Sequence, residues 1–568
     1  MTVAAERYLG LDFGTLSVRA LVADARGEVV ATATADYAGG EIVRGTGDAG
    51  RFAAVLPGGW ALQDPDDWLA SAGDAVRRAL AAGRVDPDAV AGLGIDFTSC
   101  TVLPTLADGT PLACGELATR PHAWPKLWKH HGAQRQATEL TDVARDRSEA
   151  WLDRYGGVVG LEWSFPKLLE VLDEDPAVAA ATQVWIEAGD WVVWQLTGAP
   201  SLGGDRTAAD LVRSTCQAGY KALWSPATGY PGTAYLEAVR PGLGELAGAV
   251  LGGDFRAPGS PAGGLSDAGA AVLGLRAGVP VSAAVIDAHA GVPGAGVSET
   301  GTLVLVLGTS GCHMIMDAAE HRIPGVAGVV ADGILPGSFG YETGQAAVGD
   351  TFDWARRMTG ATDHDDLEAG ARRIAPGAEG LCVVDWFNGC RTPLMDGDLA
   401  GAVLGATLHH GPAHLYRAAL EASACGLAWI VDTLRDGGVA VDRFVATGGL
   451  PQRNVLFGEI VAAVLGAPVE VPCVEHGPAL GAAVLGALAS GRFATAADAV
   501  DAMAGASSAV PAPRVIEPDP AAVDAYRRVA RRYRAAADLL ASAAGPHGPL
   551  GPLAENHPNA EIPPVEGP

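Results

Sequence analysis

At 568 residues the chain is too long for one core, since single cores seldom grow past roughly 250–300 residues. Nearly half of it is apolar and only 18% is charged, which excludes a largely disordered protein. The formal charge of −27 excludes nucleic acid and anionic membranes as partners, although local phosphate sites stay open to it.

The opening segment, MTVAAERYLGLDFG, has neither a basic head nor an apolar h-region. No run reaches the ~18 apolar residues of a membrane span, so a soluble, cytoplasmic protein is expected. The eight cysteines form no C-x-x-C pair and read as free thiols. Lysine is scarce, at Lys126, Lys129, Lys167 and Lys221, so each one draws notice.

The segment YLGLDFGTLSVRALVAD, a short glycine-containing turn and EVVATATADY read as a hairpin. A helix follows, with Asp64 as N-cap and Pro65 in its first position. VAGLGIDFTSCTVLPTLADGTPL reads as strand, turn and strand, with ADG at the tip. Residues 120–250 are richer in tryptophan, arginine and helical patterns. From about residue 280, VPVSAAVIDAHAGVPGAG and TGTLVLVLGTSGCHMIMD read as buried strands ending in small-residue loops. AHLYRAALEASACGLAWIVDTLRDGG has the period of a long helix, and DRFVATGGLPQRNVLFGEIVAAVLG reads as strand, glycine loop and helix. GPALGAAVLGALASG is a further small-residue helix, and the Pro/Gly-rich tail over 546–568 reads as disordered.

YLGLDFGTLSVRALVAD and TLVLVLGTSGCHMIMDA share a pattern of apolar strand, Gly-Thr loop and apolar strand. Two similar α/β halves are expected, over 1–287 and 288–545, with a ligand cleft between them.

No G-x-x-x-x-G-K-[ST] is present, so ATP chemistry needs another scaffold. Asp12-Phe13-Gly14-Thr15-x-Ser17 offers one. Gly14 lets the backbone approach phosphate, Thr15 and Ser17 can donate hydrogen bonds, and Arg19 can neutralise a phosphoryl group. Asp12 is a hard oxygen ligand for Mg²⁺, through water. Gly308-Thr309-Ser310-Gly311 is a second such loop, and Thr447-Gly448-Gly449-Leu450-Pro451-Gln452-x-Asn454 a third. Each alone is equally an ordinary turn; their order along the chain is what points to a nucleotide.

That order resembles the FGGY carbohydrate kinases of the actin/Hsp70-like ATPase superfamily, over roughly residues 6–540. His414-Leu-Tyr-Arg-Ala-Ala-Leu-Glu421, preceded by Gly401 and Gly405, is similar to one family signature region. Phe165-Pro-Lys-Leu-Leu-Glu170 is similar to the other but departs from it, with Glu170 where the family often has Trp. Within the family the likeness is to members acting on ribulose. It rests on stretches such as Gly94-Ile-Asp-Phe-Thr-Ser-Cys-Thr-Val-Leu-Pro104, Ala218-Gly-Tyr-Lys221, Val285-Ile-Asp-Ala-His289 and Tyr341-Glu-Thr-Gly-Gln345.

The resemblance implies two actin-like (ribonuclease H-like) domains with a central cleft. The first would hold the sugar and the second most of the Mg²⁺-ATP, with a homodimer allowed for. The reaction it implies is phosphorylation of L-ribulose to L-ribulose 5-phosphate, in L-arabinose catabolism. D-ribulose, xylulose, ribitol and glycerol stand as alternative acceptors, and a sugar- or nucleotide-sensing protein as the alternative of another class. Asp287 would be the catalytic base, with Ser99, Lys221 and Glu342 lining the sugar site. Ser99 would act through its backbone, since its familiar equivalent is often Ala. Gly14, Thr15, Ser17, Arg19, Gly308, Thr309, Gly448, Gly449, Gln452 and Asn454 would hold ATP, and Asp12 the metal. Asp96 is read as a loop cap, His130 and His131 as core or surface residues, and Trp60, Trp68, Trp124 and Trp128 as core.

Overall fold

The computed structural model describes residues 6–46, 50–52 and 55–544, so the expected disordered tail lies outside the described residues. In chain order, the elements of the first half that position the site are β1 (Arg7–Phe13), β2 (Ser17–Asp24), β3 (Val29–Asp36), α1 (Pro65–Gly83), β4 (Val90–Phe97), β5 (Val102–Thr105), α2 (Ser164–Glu174), β6 (Val184–Glu187), α3 (Ala188–Thr197), α4 (Thr215–Lys221), β7 (Pro261–Gly264), β8 (Pro280–Ser282) and β9 (Val285–Ile286). Those that follow are α5 (Asp287–Gly294), β10 (Thr302–Leu307), β11 (Gly311–Asp317), β12 (Gly328–Ala331), β13 (Phe339–Gln345), α6 (Pro412–Asp436), β14 (Arg443–Thr447), α7 (Leu450–Arg453), α8 (Val455–Leu465), β15 (Val469–Val471), α9 (Gly477–Ala489) and β16 (Arg514–Ile516).

Two seven-stranded sheets organise these elements. The first runs β7-β8-β4-β1-β2-β3 with β9 also paired to β4, and the second β12-β13-β11-β10-β14-β15-β16. The internal echo is therefore topological. β1 and β10 each begin an antiparallel hairpin and each pair in parallel with a later strand, β4 and β14.

β1 is buried on both faces because each face has its own cover. Leu9, Leu11 and Phe13 join one apolar cluster with residues of α1, such as Trp68 and Val76. On the other face Gly10 meets α9 so closely that a Cβ would sit 1.9 Å from the Ala479 carbonyl oxygen. Gly94 on β4 makes the same approach to Ala482, and Gly481 on α9 to Ala290 of α5. The small residues of α9 thus let one helix lie between the first sheet and α5.

Two expectations need correction. The segment after β9 is not a loop, because α5 begins at Asp287 itself. The stretch before the ADG tip is not one strand, because it breaks after Phe97 and β5 leaves to pair with β6. Cys100 takes a positive φ of 46° at that turn. The Asp64 cap of α1 and the Pro65 start are as read from the sequence.

Candidate active site

Three acidic residues meet where parallel strands end. Register pairs Asp12 of β1 with Asp96 of β4, and Val285 of β9 with Asp96, so Asp287 follows one residue past the level of Phe97. Strand ends of this kind are where α/β sheets bind ligands. Asp12 is held by Arg19, whose Nη1 donates to Oδ2 at 2.8 Å. Asp96 is fully buried with neither oxygen hydrogen-bonded. Burial, then the charges of Asp12 and Asp287, push its carboxyl well above the usual range. It is no loop cap but a third carboxylate of the site, and only its buried, unpartnered state reveals it.

Asp287 accepts a hydrogen bond from the Ala288 N–H at 2.7 Å. Burial raises its carboxyl to about 7, with the charges of Asp12 and Glu342 adding to the rise and Ala288 N–H and Lys221 opposing it. A carboxyl poised near 7 suits proton transfer at neutral pH.

Lys221 ends α4 and Glu342 lies on β13, so one comes from each half of the chain. They form an ion pair, Nζ to Oε1, at 2.6 Å. His289 Nε2 stands 3.4 Å from the other Glu342 oxygen. Burial alone would push the Lys221 ammonium down, but Glu342 outweighs it and holds it above its ordinary value. The pair gives the cleft wall both donors and acceptors for hydroxyl groups.

Ser99 sits in the turn between β4 and β5, with its Oγ buried and unpartnered. That turn is tied down by Lys167, whose Nζ donates to the carbonyls of Cys100 and Leu127, both at 2.7 Å. Glu170, one turn further along α2, answers the departure noted in the sequence. It is buried against Lys126 Nζ at 3.2 Å and His130 Nε2 at 2.9 Å. The scarcity of lysine had marked Lys126 and Lys167, but their roles were not readable.

In the first glycine loop Gly14 N–H bonds the Ser17 carbonyl at 3.0 Å, closing a tight turn. Thr15 is fixed from outside. Its Oγ1 accepts from Trp128 Nε1 at 3.1 Å and its carbonyl from Gln63 Nε2 at 2.7 Å. Trp128 is therefore half-buried support for the loop rather than core, whereas Trp60, Trp68 and Trp124 are core.

The second and third loops are neighbours, because β10 and β14 pair Val306 with Thr447. Gly448 has φ of 94°, and a Cβ there would lie 2.5 Å from the Leu307 carbonyl oxygen, so only glycine fits. Gly449 faces open space. Thr309 and Gln452 are exposed. Asn454 is occupied: its Oδ1 caps α8 by accepting from Phe457 N–H and its Nδ2 donates to Tyr416. Its part in the loop is to fix where α7 ends and α8 begins.

The first part of the chain, 7–212, matches the N-terminal domain of the FGGY family of carbohydrate kinases, and 303–490 matches the C-terminal domain. The chain belongs to the FGGY family of carbohydrate kinases. It is a sugar kinase, and ATP is its phosphoryl donor. A ribulokinase from Shouchella clausii is 42% identical over 501 residues, covering 86% of this chain and 87% of that one. A ribulokinase from Mycolicibacterium smegmatis is 39% identical over 504 residues, covering 86% and 87%. Among solved structures, a xylulose kinase from Rhodospirillum rubrum superposes with TM-score 0.76 at 24% identity, covering 94% of this chain and 99% of that one. A Plasmodium falciparum glycerol kinase with ADP reaches 0.74 at 15% identity, covering 94% and 98%. These structural likenesses show the shared two-domain, actin-like kinase fold.

Proposed function

We propose that this FGGY kinase transfers the γ-phosphoryl group of ATP to the 5-hydroxyl of L-ribulose, giving L-ribulose 5-phosphate and ADP in L-arabinose catabolism. The observation that carries the reading is the ribulokinase likeness, at 38–42% identity over most of the chain in five relatives. The geometry supports it through the Asp287 carboxyl beside the Lys221–Glu342 pair.

In this reading Asp287 accepts the proton of the attacking hydroxyl as its oxygen bonds to phosphorus and the bond to the ADP oxygen breaks. Lys221, Glu342 and the Ser99 turn orient the sugar. Gly14, Thr15, Ser17 and Arg19 receive phosphate oxygens from one side of the cleft, and Gly308 and Thr309 from the other. Gly448 and Gly449 leave bare backbone for the nucleoside, beside Gln452.

Mg²⁺ would be held at Asp12, with Asp96 beside it. The donor set fits, since two carboxylates in register supply hard oxygen ligands and Asp96 has none of its acceptor capacity used. The ion would neutralise charge on the phosphates. No helix among the described residues is long and apolar enough to cross a membrane, and a cytoplasmic site of action is part of the reading.

A coupled ADP-release assay over L-ribulose, D-ribulose, xylulose, ribitol and glycerol tests the proposal. Fastest turnover at limiting concentration is expected with L-ribulose. Absence of turnover on any pentulose or polyol would sink it.

A further inference from the structure

Helix α4 ends in Lys221, and one turn earlier on the same face stands Gln217. Gln217 is fully buried, and neither its amide nitrogen nor its amide oxygen has a hydrogen-bond partner. A primary amide can make four hydrogen bonds, and native proteins rarely bury one with none. The amide is closely boxed in. A Cβ on Gly189 would lie 2.5 Å from Gln217 Nε2, 3.1 Å from Phe97 Cβ and 3.2 Å from Ala284 Cβ. Phe97 leads into the Ser99 turn, and Ala284 leads into β9 and Asp287. The amide therefore lies between the two chain segments that deliver the sugar-site residues.

Its surroundings share its condition. Ser99 Oγ and both Glu187 carboxylate oxygens are also buried and unpartnered. Both carboxylate oxygens of Asp96, on the strand that leads through Phe97 into the Ser99 turn, are in the same state. Glu187 also lines a small pocket together with Ala218 of α4 and Ala222 just after it. Lys221 and Glu342 each have the other as one partner, whereas both ends of the Gln217 amide are unused.

We propose that Gln217 is a further sugar-binding residue, its amide hydrogen-bonding the C1 hydroxyl of the pentulose, at the end remote from the phosphorylated C5. This rests on the pentulose kinase reading above. An amide donates and accepts, which matches a hydroxyl group, and it stands one helical turn from the ammonium that meets the rest of the sugar. Burying the amide unpaired weakens the empty protein; the sugar supplies the missing partner.

Gln217→Met keeps the length of the side chain and removes the amide, so its effects on stability and binding part company. The variant should melt at the same temperature as the wild type or higher, because an unpaired buried amide is replaced by apolar atoms of similar shape. Its KM for L-ribulose should rise about tenfold, with KM for MgATP and kcat unchanged, as expected for one lost hydrogen bond of uniform binding. In parallel, 1-deoxy-L-ribulose should show a similar loss with the wild type, and the variant should no longer distinguish it from L-ribulose. A lowered melting temperature with unchanged KM for L-ribulose would overturn the assignment, and so would undiminished discrimination against the deoxy sugar. If the variant does not fold, the wild type decides: equal KM for the two sugars overturns the proposal. A wild type that phosphorylates no pentulose contradicts the proposed function instead, and that outcome is visible before any variant is made.

Discussion

Asp287 holds a carboxyl that burial, chiefly, has raised to about 7, so its ionised form is the scarce one on the acid side of neutrality. Turnover at low sugar should rise with pH and level off above about 7, since the base must be deprotonated. Glu342 is one of the charges that raises it, so Glu342→Gln should move this limb to lower pH while weakening the sugar. The same shift has a consequence for stability. An acid raised in the folded state contributes stability below its unfolded value near 4, and loses it as pH rises through about 7. Asp287→Asn should therefore abolish turnover yet stabilise the empty protein, with the gain in melting temperature growing from about pH 4 to pH 8. Nucleotide binding by the variant should survive. Melting curves across that pH range, with ATP-analogue titrations, check both halves.

At the scale of elements, α2 shows how the site is held from behind. Lys167 on this helix ties the Ser99 turn, through the Cys100 carbonyl, to the Leu127 carbonyl, and Glu170 on the next turn anchors the helix to Lys126 and His130. Glu170→Ala leaves the Lys126 charge buried without its partner, a change that costs about 3–5 kcal/mol. Denaturant unfolding should report that loss, and KM for the sugar should rise as the turn loosens. Elements of this kind set the boundary of what the sequence alone discloses. The glycine loops, the Asp64 cap and the long helix over Pro412–Asp436 are local patterns and were legible as such. Asp287 was legible through likeness to a family rather than through spacing. Asp96, Gln217 and Lys167 were not, because their significance is a missing or distant partner, which exists only once strands and helices have been brought together. The helix beginning at Asp287 was missed for a related reason, since a run of Ala, Gly and Pro carries no helical period.

At the scale of the whole molecule, the sequence echo becomes two sheets built on the same plan, each with a strand that opens a hairpin and pairs in parallel with a later strand. The halves are tied by α9, which comes from the later part of the chain but packs on β1 and β4 through Gly10 and Gly94. The ion pair of Lys221 with Glu342 is a second tie, made within the site itself. A cleft closed by residues from both halves can exclude water, which favours transfer to the sugar over hydrolysis of ATP.

Phosphoryl transfer to L-ribulose with Asp287 as the base must leave a sugar phosphate ester in solution. Phosphorus NMR of a mixture of enzyme, MgATP and L-ribulose follows this directly, run beside the Asp287→Asn variant. The expected result is one sugar phosphate monoester for each ADP with the wild type, and no detectable ester with the variant. Inorganic phosphate in place of the ester, or ester formation at the same rate by the variant, would contradict it.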